Sequence, residues 1–96
     1  MPGYYARRKD SNHAQILETL ASLGWILLDT SRAGFGAPDA IAVRAGRVAF
    51  IEIKDGRKPP SARALTPMER EVHDAFKAAG VPIVVLSTVD EALALR

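Results

Sequence analysis

The chain has 96 residues, a formal net charge of +2 and no cysteine. That length suits one domain whose stability is only a few kcal/mol, on the order of 5, unless a partner subunit adds to it. The absence of cysteine excludes a disulfide framework and any cysteine-ligated zinc, and suits a reducing cytosol.

No apolar stretch approaches the roughly 20 residues of a membrane span. The basic N-terminus is not followed by the apolar run of a signal peptide, so a cytoplasmic location is expected. The positive charge is uneven. Arg7, Arg8 and Lys9 cluster at the start, and Arg57, Lys58 and Arg63 in the middle. Such patches can contact phosphate, although solubility alone would account for them.

Residues 1–10 are expected to form a flexible arm, and residues 11–96 a single domain. From residue 11 to 23 the pattern is helical, because Ile16, Leu17, Leu20 and Leu23 share one stripe. Asp10 or Ser11 can cap its start, and Gly24 can end it. Residues 25–29 form a short apolar strand. Residues 30–38 are a loop of small residues. A strand over 39–44, the turn Ala45-Gly46 and a strand over 47–54 make a hairpin. Residues 55–65 are polar and contain proline, so they read as a loop. Thr66-Pro67-Met68-Glu69 then starts a helix, with Thr66 as cap, Pro67 at the first position and Glu69 closing a capping box. That helix runs to about residue 79 and stops at Gly80. Residues 82–86 form a β-branched strand, and Thr88 with Glu91 opens a last short helix.

The order α-β-β-β-α-β-α predicts an α/β fold, a mixed sheet flanked by helices. On the third strand Val48, Phe50, Glu52 and Lys54 point one way, and Ala49, Ile51 and Ile53 the other. Both faces are mostly apolar, so this strand is expected to be central and covered.

The chemistry concentrates in Pro38-Asp39 and Glu52-Ile53-Lys54. A glutamate and a lysine ending an apolar strand are costly to bury, so they need a partner, water or a ligand. The hairpin brings the start of one strand beside the end of the next, so Asp39 and Glu52 are expected to converge. Two such carboxylates favour a hard divalent cation such as Mg2+ or Mn2+, and the Ile53 carbonyl can add an oxygen ligand. A cation held there activates water and stabilises phosphate charge, with Lys54 orienting or activating the attacking water. Glu-x-Lys by itself is common, and an ordinary ion pair beside an unrelated aspartate would explain it. The added Pro-Asp at hairpin spacing favours the site.

Three segments carry a more specific signal: Gly34-Phe35-Gly36-Ala37-Pro38-Asp39, Phe50-Ile51-Glu52-Ile53-Lys54-Asp55-Gly56, and Pro59-Pro60-Ser61-Ala62-Arg63-Ala64-Leu65-Thr66-Pro67. Through them the chain resembles the virus-type replication-repair nuclease (VRR-NUC) domains of the PD-(D/E)xK restriction-endonuclease-like superfamily, over about residues 12–95. The resemblance implies Mg2+- or Mn2+-dependent phosphodiester hydrolysis on DNA, commonly branched or structured, often by a homodimer. It also fits a phage-encoded protein acting in a bacterial host. A first-helix glutamate that supports the metal site in relatives is absent near His13, Ala14 and Gln15, where Gln15 is the candidate to hold a metal-bound water or Lys54. His13 reads as a core-edge histidine. Relatives often have glutamine where this chain has Glu69, and capping suffices to explain Glu69.

Arg32 on the loop before Pro38, and Lys58, Ser61 and Arg63 after Lys54, are candidate DNA contacts. His73 is assigned no role, and Trp25 belongs to the core. No extended Gly-rich phosphate cradle is present, which argues against a nucleotide triphosphatase. Two other readings use the same residues: a Holliday-junction resolvase acting as a homodimer, and a non-catalytic DNA-binding module. If a homodimer forms, residues 82–95 are the candidate interface, although its strand residues suit the monomer core better.

Overall fold

A computed structural model describes residues 11–96. The expected N-terminal arm, with Arg7, Arg8 and Lys9, lies outside the described residues. The first helix, α1 (Ser11–Ser22), is followed by strands β1 (Ile26–Asp29), β2 (Ala40–Arg44) and β3 (Arg47–Ile53). A short 3-10 turn (Pro60–Ala62) leads to α2 (Pro67–Ala78), then β4 (Val84–Leu86) and α3 (Val89–Ala94). The order is the one the sequence predicts, and each boundary follows from local chemistry. Trp25 N–H reaches back to the Leu20 carbonyl at 3.1 Å, with Gly24 at φ +94° closing α1. Val81 N–H and Gly80 at φ +92° close α2 in the same way, through the Phe76 carbonyl at 3.0 Å. Thr66 and Glu69 form the reciprocal capping box at the start of α2.

The four strands lie in the order β1-β2-β3-β4. The first three are antiparallel, and β4 joins β3 in parallel after the α2 crossover. The two-residue turn 45–46 joins β2 to β3, pairing Arg44 with Arg47. Asp39 precedes β2 and Lys54 follows β3, so each expected strand is one residue shorter at the end that carries the site.

One face of the sheet carries the core. Ala40, Ala42, Ile51 and Ile53 pack with Ile16, Leu20, Trp25, Leu86 and Ala92, so α1 and α3 cover that side. Trp25 is a core residue, as expected, with the Arg44 guanidinium 4.4 Å from its ring centroid. On the other face Ile26, Val43 and Val48 form one cross-strand row, and Leu28, Ile41 and Phe50 the next. Among the described residues only α2 lies there, and it meets the sheet through the edge-on contact of Phe76 with Phe50 at 5.2 Å between centroids and through His73 against Glu52.

The coverage of β3 therefore differs from expectation. Its last three residues are buried on both faces, but Val48 is exposed because it lies at the hairpin end of the strand, beyond the Phe50 and Glu52 positions that α2 contacts. In the 82–95 segment Leu86 and Ala92 belong to the core while Val85 and Leu93 are exposed, and Ile26, Leu28, Val43 and Val48 lie open on the outer face as well.

The hairpin turn contains a strained position. Ala45 sits at φ +50° and Gly46 at φ +79°, the left-handed pair of a type I′ turn, where a Cβ is unfavourable. Ala45→Gly or Ala45→Asn should stabilise the protein by about 1 kcal/mol. Urea unfolding measures this, and a lower midpoint for both variants would contradict the turn assignment.

Candidate active site

The loop of residues 30–38 delivers Asp39 to the end of the sheet. Thr30 clasps its far end: its N–H donates to the Asp39 carbonyl at 2.8 Å and its hydroxyl to the Pro38 carbonyl at 2.6 Å. Asp39 N–H then donates to the Ile51 carbonyl at 2.8 Å. Asp39 Oδ2 accepts from Ile53 N–H at 2.7 Å, which fixes the carboxylate against β3. Because Ala40 pairs with Ile51, Asp39 comes beside Glu52, as the hairpin spacing predicts.

Glu52 is 2% exposed, beneath α2. Its pKa is pushed up to about 9, first by burial and then by its hydrogen bond to Asp39 and the charges of Asp39 and Glu69, with Lys54 offsetting part of this. At neutral pH it is therefore protonated and donates its proton toward Asp39. The two carboxylates make a site that is short of positive charge.

Lys54 Nζ donates to Glu69 Oε1 at 2.8 Å, and both side chains are largely buried. The same Glu69 oxygen accepts from Thr66 N–H at 2.9 Å. Burial opposes the charge on Glu69, but the bonds from Lys54 and Thr66 outweigh it and hold its pKa below the ordinary value. Capping is therefore only part of what Glu69 does. His73, which the sequence left without a role, places Nε2 3.4 Å from Glu52 Oε1. Burial pushes the His73 pKa down, so its ring is neutral at pH 7. Glu69 and His73 are four apart and share one face of α2. That i,i+4 spacing, with Phe76 further along the stripe, was the signal available in the sequence.

On α1 the structure selects Asn12 rather than Gln15. Asn12 is buried, and its amide donates to the Lys54 carbonyl at 2.8 Å and the Ser87 carbonyl at 3.2 Å. It ties α1 to the backbone at the end of β3. Gln15 is exposed, one helical turn further along and off the face that meets the sheet.

His13 is buried, in keeping with a core-edge histidine. Arg32, Lys58 and Ser61 are exposed on the two loops that flank the site, and Arg63 is half-buried. Beside them Arg57 pairs with Asp55 at 2.9 Å and holds that carboxylate down at about 2.

The groups here that could hold a cation are the Asp39 and Glu52 carboxylates and the Ile53 carbonyl. Among the described residues no three His, Cys, Asp or Glu side chains gather into a metal cage. Magnesium does not require one, since it keeps several waters and takes one or two carboxylates plus substrate phosphate. The donor set fits such an ion, and does not fit zinc.

No family model and no curated protein matches this chain. A solved structure described as a "VRR_NUC domain" is similar, with 24% identity over 83% of this chain and 84% of that one, and a TM-score of 0.64. The class is thus a small mixed sheet with helices on both faces, and the particular fold is that of a VRR_NUC domain.

The protonated Glu52 has a consequence for stability. A carboxyl with a raised folded-state pKa contributes fully below about 4.5 and loses that contribution as pH rises through about 9. Glu52→Gln keeps the shape and cannot ionise. In EDTA it should melt above the parent protein, and the gap should widen from pH 5 to pH 9. Thermal melting across this range checks it; a gap that narrows with pH would contradict the burial of a carboxyl here.

Proposed function

We propose that the protein is a divalent-metal-dependent nuclease that hydrolyses phosphodiester bonds in DNA, acting on branched or structured substrates. The observation that carries this reading is the meeting of Asp39, Glu52 and Lys54 at one end of the sheet, on the fold of a VRR_NUC domain. Asp39, Glu52 and the Ile53 carbonyl would hold Mg2+ or Mn2+. When bound, such an ion lowers the pKa of a coordinated water and offsets charge on the phosphate.

Lys54 orients the attacking water or pairs with a phosphate oxygen. Glu69 holds its ammonium in place, and Asn12 holds its backbone. His73 packs its neutral ring against Glu52 and helps keep bulk water from the acidic pair. Arg32, Lys58, Ser61 and Arg63 contact the DNA backbone from the flanking loops. Gln15 is exposed on α1, and the support for Lys54 from that helix is assigned to Asn12. A non-catalytic binding module is disfavoured, because a buried carboxyl beside a second one lowers stability and does nothing for phosphate binding.

Cleavage of linear, flap and four-way-junction DNA in Mg2+, Mn2+ and EDTA tests the activity. Lys54→Ala should cut at least about 100-fold more slowly while still binding DNA. Asp39→Asn and Glu52→Gln should each weaken cation binding by calorimetry. Full turnover by Lys54→Ala, or unchanged cation binding in both acid variants, would remove the assignment.

A second reading, a Holliday-junction resolvase acting as a homodimer, is favoured by the edge of the sheet. β1 is an edge strand of sequence Ile-Leu-Leu-Asp with no lysine or proline to block pairing, and Ile26 and Leu28 are exposed on it. Antiparallel pairing of β1 with its copy continues the sheet and prolongs the apolar row of Ile26, Val43 and Val48 into the partner's. Sedimentation at micromolar protein, with and without four-way-junction DNA, should show a dimer that Leu28→Lys converts to monomer. A wild-type monomer in both conditions would exclude this reading and leave a flap- or end-cutting enzyme.

A further inference from the structure

The loop before Asp39 exposes an aromatic side chain that the fold does not use. Phe35 is 82% exposed, the most open large hydrophobic side chain among the described residues. Its backbone is at φ +57°, between Gly34 at +74° and Gly36 at +77°. Both neighbours are glycines, which enter this region freely. A phenylalanine there is strained, and its ring gains nothing from the core. Strain of this kind at a site's edge points to a use outside the fold.

The ring is also presented firmly. Ala33 N–H donates to the Thr30 carbonyl and Ala37 N–H to the Gly34 carbonyl, each at 3.0 Å. Gly36 packs so closely on the start of α2 that an added Cβ would lie 2.5 Å from the Met68 carbonyl oxygen. The next residue, Glu69, holds Lys54. The loop tip is thus braced against the helix that carries part of the active site. Phe35 lies four residues before Asp39, so its Cα is within roughly 14 Å of that residue's Cα.

We propose that Phe35 is a stacking platform for an unpaired nucleobase next to the cleaved phosphate, and that it directs the enzyme to DNA with a strand discontinuity. The proposal rests on the nuclease reading. A neutral aromatic ring offers nothing to a phosphate, whereas every base has a π face to lay against it. Bases in an intact duplex are already stacked on both sides, so the ring gains only from a nucleotide at a flap, fork or junction. Arg32, exposed on the same loop, is suited to the phosphate beside that base. The chemistry recognised is therefore one unstacked base and its phosphate, a few nucleotide steps from the metal ligands.

The test compares flap DNA whose unpaired nucleotide at the branch carries a base with the same flap made abasic there. Binding is followed by fluorescence anisotropy in Mg2+, with each Phe35 variant built on Lys54→Ala so that the DNA is not consumed. Phe35→Ala and Phe35→Leu should bind the base-containing flap about 5- to 100-fold more weakly, the range expected for one lost stack. Both should bind the abasic flap within about twofold of the Phe35 protein, and Phe35→Trp should restore base-dependent binding.

Phe35→Gly should melt no lower than the parent, since glycine relieves the φ strain, while losing the same binding. Equal losses on both flaps, or none, would overturn the proposal. So would a loss of self-association in Phe35→Ala, which would make the ring a contact between copies. If the wild-type protein cleaves no DNA in Mg2+ or Mn2+, the nuclease reading fails by itself, and the anisotropy series still decides whether Phe35 stacks.

Discussion

A single carboxylate oxygen joins the start of α2 to the end of β3. Glu69 Oε1 accepts both the Thr66 N–H of its own cap and the Lys54 ammonium. Beyond it, α2 meets the outer face of the sheet through the ring contact of Phe76 with Phe50 and through His73, whose Nε2 lies 3.4 Å from Glu52 Oε1. The helix therefore depends on the same polar cluster that it covers. Its position over Glu52 and the seating of Gly36 against Met68 follow from it. Bonds to charged groups are stronger than neutral ones, which suits a helix with no buried residue.

The acidic pair shows the cost of that arrangement. Burial and the neighbouring Asp39 push the Glu52 carboxyl up to about 9, so the folded chain holds a proton on this pair. Natural proteins retain such local conflict where function uses it, while the remainder stays consistent. Here the conflict is confined to one end of the sheet. The opposite face is an ordinary apolar core, with Ile16, Leu20 and Ile51 fully buried.

The unequal cover of the two faces has its own logic. α1 and α3 both pack on the inner face, so among the described residues one short helix is left for the outer one. A twelve-residue helix spans about 18 Å. It shields the Phe50 and Glu52 end and leaves the Ile26, Val43 and Val48 row open. The small domain thus keeps an apolar margin next to its edge strand, a feature that monomers usually suppress.

Local rules determined much of this protein from the sequence itself. Capping chemistry marked the start of α2, glycines marked the ends of α1 and α2, and alternation marked the strands. The two-residue turn set the register that brings Asp39 to Glu52, because a hairpin's pairing follows from its loop length. What tertiary structure alone decided was everything that depends on how a helix is laid on a sheet. A helical wheel could not say that Asn12, and not Gln15, meets the end of β3, since that depends on the rotation and depth at which α1 packs. Nor could capping show that Glu69 also binds Lys54, or that His73 faces Glu52. The periodicities of 3.6 and 2 fix which side chains share a face, but the contact between two faces is set by packing over the whole domain.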